Sequence, residues 1–210
     1  MRYLVFTTFL LFSAWIHAQQ VLSYPGKAFT YTLYIDTSQC KTNSQLIVDS
    51  IVVATKAGKK KVQVIKPSNA DGNGIPCNGD LLKNGEFLIT DANFDDHEDI
   101  LLMQFLPAAP NIPYYYWIYN PASKKFIEDT ALENITSPQF DSVKHQITSF
   151  WRNGCCDHGT DTYSYVNNKA ALIQQVEDVA DPNGTAPDTL IERKVIAGKL
   201  TEVSRKAQKK

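Results

Sequence analysis

Short runs of β-branched and aromatic residues, each cut off by a turn, fill most of this chain, and they restrict it to a β architecture. From Glu86 the runs are "EFLIT", "ILLMQF", "YYYWIYN" (114–120), "KKFIED" (124–129), "VKHQITSFW" (143–151), "DTYSYVN" (161–167) and "KAALIQQVE" (169–177). "TLIERKVIA" (189–197) and "KLTEVS" (199–204) follow, flanking Gly198. Turn formers such as Asn120-Pro121-Ala122-Ser123 and Asn167-Asn168 separate neighbours. Upstream, "FTYTLYI" (29–35) alternates Thr with apolar residues, and "QLIVDSIVVAT" (45–55) reads as a hairpin with "KKVQVI" (60–65) across a turn at Gly58. Residues 67–84 are dense in Pro, Gly, Asn and Asp and read as a long loop. The one exception predicted is a helix over Ala131–Ile135, or else a turn before Pro138. The pattern predicts an all-β domain, an antiparallel meander in a propeller-like arrangement, with a β-sandwich as the alternative.

Ahead of this domain, residues 1–18 carry Arg2, an apolar stretch from Tyr3 to Ile16 and a small residue at Ala18. That is the form of a secretory signal peptide, and the stretch is shorter than the ~20 residues of a membrane span. Cleavage after Ala18 leaves residues 19–210 as one domain, 192 residues from 210 − 18. Only Arg2 is charged in the lost segment, so 20 basic residues face 22 acidic ones, a net charge of −2. Nothing in that balance points to nucleic acid or an anionic membrane. A soluble periplasmic or secreted protein is expected.

In an exported chain the cysteines Cys40, Cys77, Cys155 and Cys156 read as disulfides. Zinc held by "CCDH" (155–158) and His145 is disfavoured, because adjacent cysteines do not readily take two corners of a tetrahedron. Two connectivities stand: Cys40–Cys77 with a vicinal Cys155–Cys156 bond, or Cys155 and Cys156 joined separately to Cys40 and Cys77. A vicinal bond is strained, since a trans peptide holds the Cα atoms about 3.8 Å apart, below the usual ~4.4 Å minimum.

The most charged segment is "DANFDDHED" (91–99), between two apolar runs. Asp91, Asn93, Asp95 and Asp99 occupy its first, third, fifth and ninth positions, with His97 at the seventh. Hard cations such as Ca²⁺ take six to eight oxygens, and alternate loop positions supply them from one turn of chain. Asp91, Asn93, Asp95 and Asp99 would give side-chain oxygens and His97 its backbone carbonyl. An EF-hand is excluded: its twelfth position, normally Glu, is Leu102, and the flanks are strands.

This spacing between two strands resembles the calcium loop of FG-GAP/VCBS-type repeats. The longer stretch from Ile89 to Glu177, with Tyr-x-x-Trp-x-Tyr-Asn-Pro, Pro-x-Phe-Asp and a Lys-x-x-Leu-Ile run, resembles a narrower bacterial family. Its relatives are calcium-binding, propeller-like periplasmic proteins similar to lysozyme inhibitors and to immunity proteins of secretion systems. The resemblance covers about residues 85–178. It implies a protein partner, a lysozyme-like peptidoglycan hydrolase. One departure is Asp96, where the family places Gly; Asp tolerates the left-handed backbone at some cost, so the calcium site is expected to be weaker than in the family, or lost.

No nucleophile elbow, phosphate loop or zinc-hydrolase motif is present. A glycosidase pair would join Asp91 or Asp95 to Glu128, but the acids cluster in one loop, where they suit a cation better than proton transfer. A non-enzymatic binding protein is therefore expected, with an envelope structural or adhesive module as the alternative. Candidate partner-binding loops are Asn153–Asp161 and Pro107–Pro113. The rings of "YYYWIYN" are expected to pack in the core at strand spacing, with a carbohydrate-binding face as the alternative.

Overall fold

The computed structural model describes residues 19–68, 74–77, 82–83, 85–154, 156–181 and 185–208. The expected signal peptide lies outside them. The architecture is all-β, built from three antiparallel sheets, none closed into a barrel. The first sheet runs in chain order through β1 (Gln19–Pro25), β2 (Phe29–Asp36), β3 (Gln45–Thr55) and β4 (Lys61–Ile65), and the short β5 (Ile75–Pro76) pairs with the start of β3. The second contains β6 (Phe87–Thr90), β7 (Asp99–Met103), β8 (Tyr114–Asn120) and β9 (Lys125–Glu128). The third contains β10 (Pro138–Asp141), β11 (Gln146–Asn153), β12 (Asp157–Val166), β13 (Lys169–Val179), β14 (Thr189–Ile196) and β15 (Lys199–Ala207). Each sheet is a sequential meander, and the sheets pack in a sandwich-like arrangement.

The second sheet is the middle layer. Every residue of β7, "DILLM", is buried, as an apolar run without polar alternation requires. Register divides the sheet into two faces. Phe87, Leu102 and Tyr115 lie opposite one another on one face, and Leu101 and Tyr116 pair on the other. The first face meets the first sheet through ring contacts: Tyr24–Phe87 at 5.0 Å, Phe29–Phe126 at 5.4 Å and Tyr31–Phe126 at 5.8 Å. On the second face the buried Tyr116 hydroxyl donates to the Ile135 carbonyl at 2.8 Å. Ile147 of β11 belongs to the same core, and Tyr163 and Tyr165 of β12 pack against it. Burying a large apolar side chain contributes roughly 1.5–3 kcal/mol, so this two-sided core is the main source of stability. The outer half of the third sheet adds little: Ile191 is the one buried residue described in β14, and β15 has none.

The hairpin turns follow their sequence. Asn167 and Asn168 both take positive φ (53° and 59°) between Val166 and Lys169, as a two-residue turn demands. The possible helix at Ala131–Ile135 is a single 3-10 turn, Leu132–Asn134; Asp129 accepts hydrogen bonds from the Ala131 and Leu132 amides at 3.0 and 3.3 Å. The run "VKHQITSFW" starts too early. Val143 and Lys144 bond to the Asp141 carboxylate and His145 turns left-handed (φ 53°), so β11 begins at Gln146.

Cys40 and Cys77 form a disulfide with Cα atoms 5.5 Å apart, closing 37 residues of chain. It ties the 3-10 turn Ser38–Lys41 to the end of β5, where the Cys77 amide also donates to Ser44 at 2.9 Å. Cys156 is disulfide-bonded too. Cys155, its expected partner, lies outside the described residues. Among the described residues no helix is long and apolar enough to cross a membrane.

Candidate metal centre and adjoining surfaces

The loop 91–98 joins β6 to β7 and closes on itself through its own acids. Asp91 accepts the Asp95 and Asp96 amides at 3.0 and 2.8 Å, one on each carboxylate oxygen. Asp95 accepts the His97 amide at 3.0 Å, and the Asn93 side-chain amide at 3.0 Å. Asp96 has φ +66°, so the position that the resemblance marks for glycine does take the left-handed backbone. His97 folds its ring back, with Nδ1 2.9 Å from the Asp95 carbonyl. That contact holds the imidazole above its ordinary range, helped by the Asp95 and Asp91 charges.

Asp99 differs from the others. It is fully buried, and its two oxygens accept the Ala92 amide at 2.8 Å and the Tyr119 amide at 2.7 Å. Burial pushes its carboxyl up to about 7 against the pull of those two amides, and the Asp95 and Asp91 charges push the same way.

Among the described residues, no three His, Cys, Asp or Glu side chains are gathered into a set that could hold a metal. The carboxylates are turned onto backbone amides instead. Carboxylate oxygens keep further lone pairs after one such bond, however. Asn93 Oδ1 is buried with no hydrogen-bond partner, an orphaned acceptor inside an acid-lined loop. The donor chemistry of Asp91, Asn93, Asp95 and Asp99 is that of a hard, oxygen-seeking cation.

Three anchors fasten this loop, one to each sheet. Glu98 accepts the Lys27 and Ala28 amides in the β1–β2 turn, the latter at 3.2 Å. Gly26 leaves room for that carboxylate, since a Cβ there would stand 2.6 Å from Glu98 Oε2 and 2.9 Å from the Tyr31 ring. Asp99 holds β8 through Tyr119. Phe94 stacks on His145 at 5.3 Å and meets Tyr165 edge-on at 5.8 Å, reaching the third sheet. The alternate polar positions of the loop are visible in the sequence, but the anchoring roles of Glu98 and Phe94 are not, because their partners are distant in the chain.

A cleft of about 460 Å³ opens beside the loop. It brings Asp95 and Glu128, the pair considered for glycosidase chemistry, to one opening with Asn93, Tyr119, Asn120 and Asn168. In "YYYWIYN" the expected core packing holds for Tyr114, Tyr116 and Trp117, which are buried, and Tyr119 borders the cleft with its ring packed on Phe29 and Phe126.

At the far end of β11, a strand of eight residues spanning roughly 25 Å at about 3.3 Å each, the Pro107–Pro113 loop reaches the strand end. The other expected loop, Asn153–Asp161, is mostly strand, since β11 runs to Asn153 and β12 begins at Asp157. Asn111 donates to the Arg152 carbonyl at 2.9 Å and accepts the Arg152 amide at 2.8 Å. β10 pairs with β11 only as far as Ser149, so the Asn111 side chain continues the ladder where the strand has ended. The His158 ring lies 6.1 Å from Phe150, which is 41% exposed, with Nε2 3.6 Å from Asp178.

No protein-family model and no curated protein matches the chain. Among solved structures, the chain is similar to one described as a Xanthomonas type IV secretion system related protein. That match has a TM-score of 0.62 and 21% identity, and covers 91% of this chain and 96% of that one. At this identity the likeness establishes the fold: the three-sheet all-β architecture is shared by a secretion-system related protein over nearly its whole length.

Proposed function

We propose that this is an exported, calcium-stabilised binding protein that inhibits a lysozyme-like peptidoglycan hydrolase, in the manner of an immunity protein, and catalyses nothing itself. The observation that carries the reading is the double hydrogen bond between Asn111 and Arg152. It fastens the β7–β8 loop to the end of β11 beside the exposed Phe150, so this edge is pre-organised for a partner at low entropic cost. The sequence resemblance over residues 85–178 and the secretion-system likeness of the fold support the same class of partner. The Cys40–Cys77 disulfide supports an oxidising compartment, periplasmic or extracellular.

Calcium is bound in this reading by Asp91, Asn93, Asp95, the His97 carbonyl and Asp99. A cation there takes up the orphaned Asn93 oxygen and the repulsion among the acids. Its role is to fix the loop.

The test is to titrate mature protein against c-type, g-type and secreted bacterial hydrolases while following cell-wall lysis, with and without calcium. Slowed lysis at micromolar protein, relieved by Asn111→Ala, is the expected result. No slowing across that panel leaves an envelope structural or adhesive module as the better account.

A further inference from the structure

We infer that the cleft beside the acidic loop is a saccharide-binding site, separate from the partner-binding edge at the other end of β11. Its lining, rather than its charge alone, carries this. The cleft lies where β8, β9, the 91–98 loop and the β12–β13 turn come together, and its volume of about 460 Å³ is within the range of small-ligand sites. Hydroxyl-rich ligands are held by side chains with two polar atoms at one end, which can donate to and accept from neighbouring hydroxyls, and by flat apolar surfaces against the ring carbons. The cleft offers both. Asn120 and Asn168 bring amides, and Glu128 brings a solvent-exposed carboxylate. The Asn120 side-chain oxygen already accepts the Ser123 amide at 2.9 Å, which fixes the amide and leaves its NH₂ to donate. Phe94 and Tyr165 supply flat walls, their rings meeting edge-on at 5.8 Å where both line the cleft.

Ile127 adds a second, independent sign. It lines the cleft and is 50% exposed, a large apolar side chain left in water next to polar groups. A ligand that covers Ile127 while hydrogen-bonding to Asn120, Glu128 and Asn168 has an apolar face and a hydroxyl-bearing rim, as a pyranose ring does. A small organic cation would satisfy the carboxylates but would leave the Asn120 NH₂ facing another donor. Catalysis is a poor fit, because the general acid of a glycosidase is kept protonated by burial and Glu128 is exposed.

Isotope-labelled mature protein, with calcium present, is titrated with tri-N-acetylchitotriose and maltotriose, and in a parallel arm with agmatine as the cationic probe. The expected result is that at least one trisaccharide at millimolar concentration shifts amide resonances of residues 118–120 and 127–129, and does so more than agmatine does. Glu128→Gln and Asn168→Gly, the latter keeping the left-handed turn, each weaken binding about tenfold or more. Neither variant changes the melting temperature or the inhibition of a hydrolase. Overturning results are absence of shifts with both sugars, undiminished binding in both variants, a preference for agmatine, or cleavage of either sugar.

Discussion

Asp96 and Glu133 are the two residues at which the sequence conflicts most plainly with local chemistry. Asp96 holds φ +66° with a side chain that adds charge to a loop already rich in acids. Asp96→Gly removes the backbone penalty and one repulsive charge, so in chelator the variant is expected to be more stable by about 0.5–1 kcal/mol in urea unfolding. A loss of stability would show that the Asp96 carboxylate holds something the loop needs. Glu133 accepts from Gln104 at 3.0 Å, but its other oxygen is buried without a partner. Burial raises its carboxyl, and the Glu128 and Asp129 charges add to the rise. A folded value above the unfolded one gives stability that is present below the ordinary glutamate range and lost as pH rises through the folded value. Glu133→Gln should therefore flatten the stability profile just above that range, and should stabilise the protein at neutral pH. The spacing of Asp91, Asn93, Asp95 and Asp99 was legible in the sequence because the loop is local. The Asn111–Arg152 clamp was not, since no pattern along the chain links an amide to a backbone 41 residues away.

Elements were legible where one face alternates or where a turn has a strict residue requirement. "YYYWIYN" is β8 to the residue, and the Asn167-Asn168 turn fixes the β12–β13 register. β1, β5 and β10 left no such mark. They are short or edge strands whose pairing is decided by neighbours, and "PQFD" of β10 carries no alternation. The link between Cys40 and Cys77 also acts at this scale, since it joins β5 and the 3-10 turn to the first sheet from a distance of 37 residues. In the chain-entropy model closing such a loop contributes roughly 4 kcal/mol. A Cys40→Ser, Cys77→Ser double variant should lose stability of that order, up to about 4 kcal/mol, in urea. Its amide protection should fall in all three sheets by up to that amount, and β5 and the start of β3 should in addition open locally and exchange faster than β7 and β8. Exchange in β5 and the start of β3 no faster than in β7 would contradict this local role.

The whole molecule is a stack whose layers share one junction, the 91–98 loop, with Glu98 on the first sheet, Asp99 on the second and Phe94 on the third. Such a contact forms only after the sheets have met, so it belongs to the late part of folding. Calcium is thus expected to slow unfolding while leaving the folding rate nearly unchanged. At about 100 times the dissociation constant it would add roughly 2.7 kcal/mol. Stopped-flow unfolding in calcium and in chelator measures this, and calcium that accelerated folding by the same factor would place the junction in the folding nucleus. The junction also has a geographical consequence. If the proposed site binds calcium, a newly exported chain would fold on its apolar core and gain its last increment of rigidity only on meeting free calcium, at the loop that joins its parts.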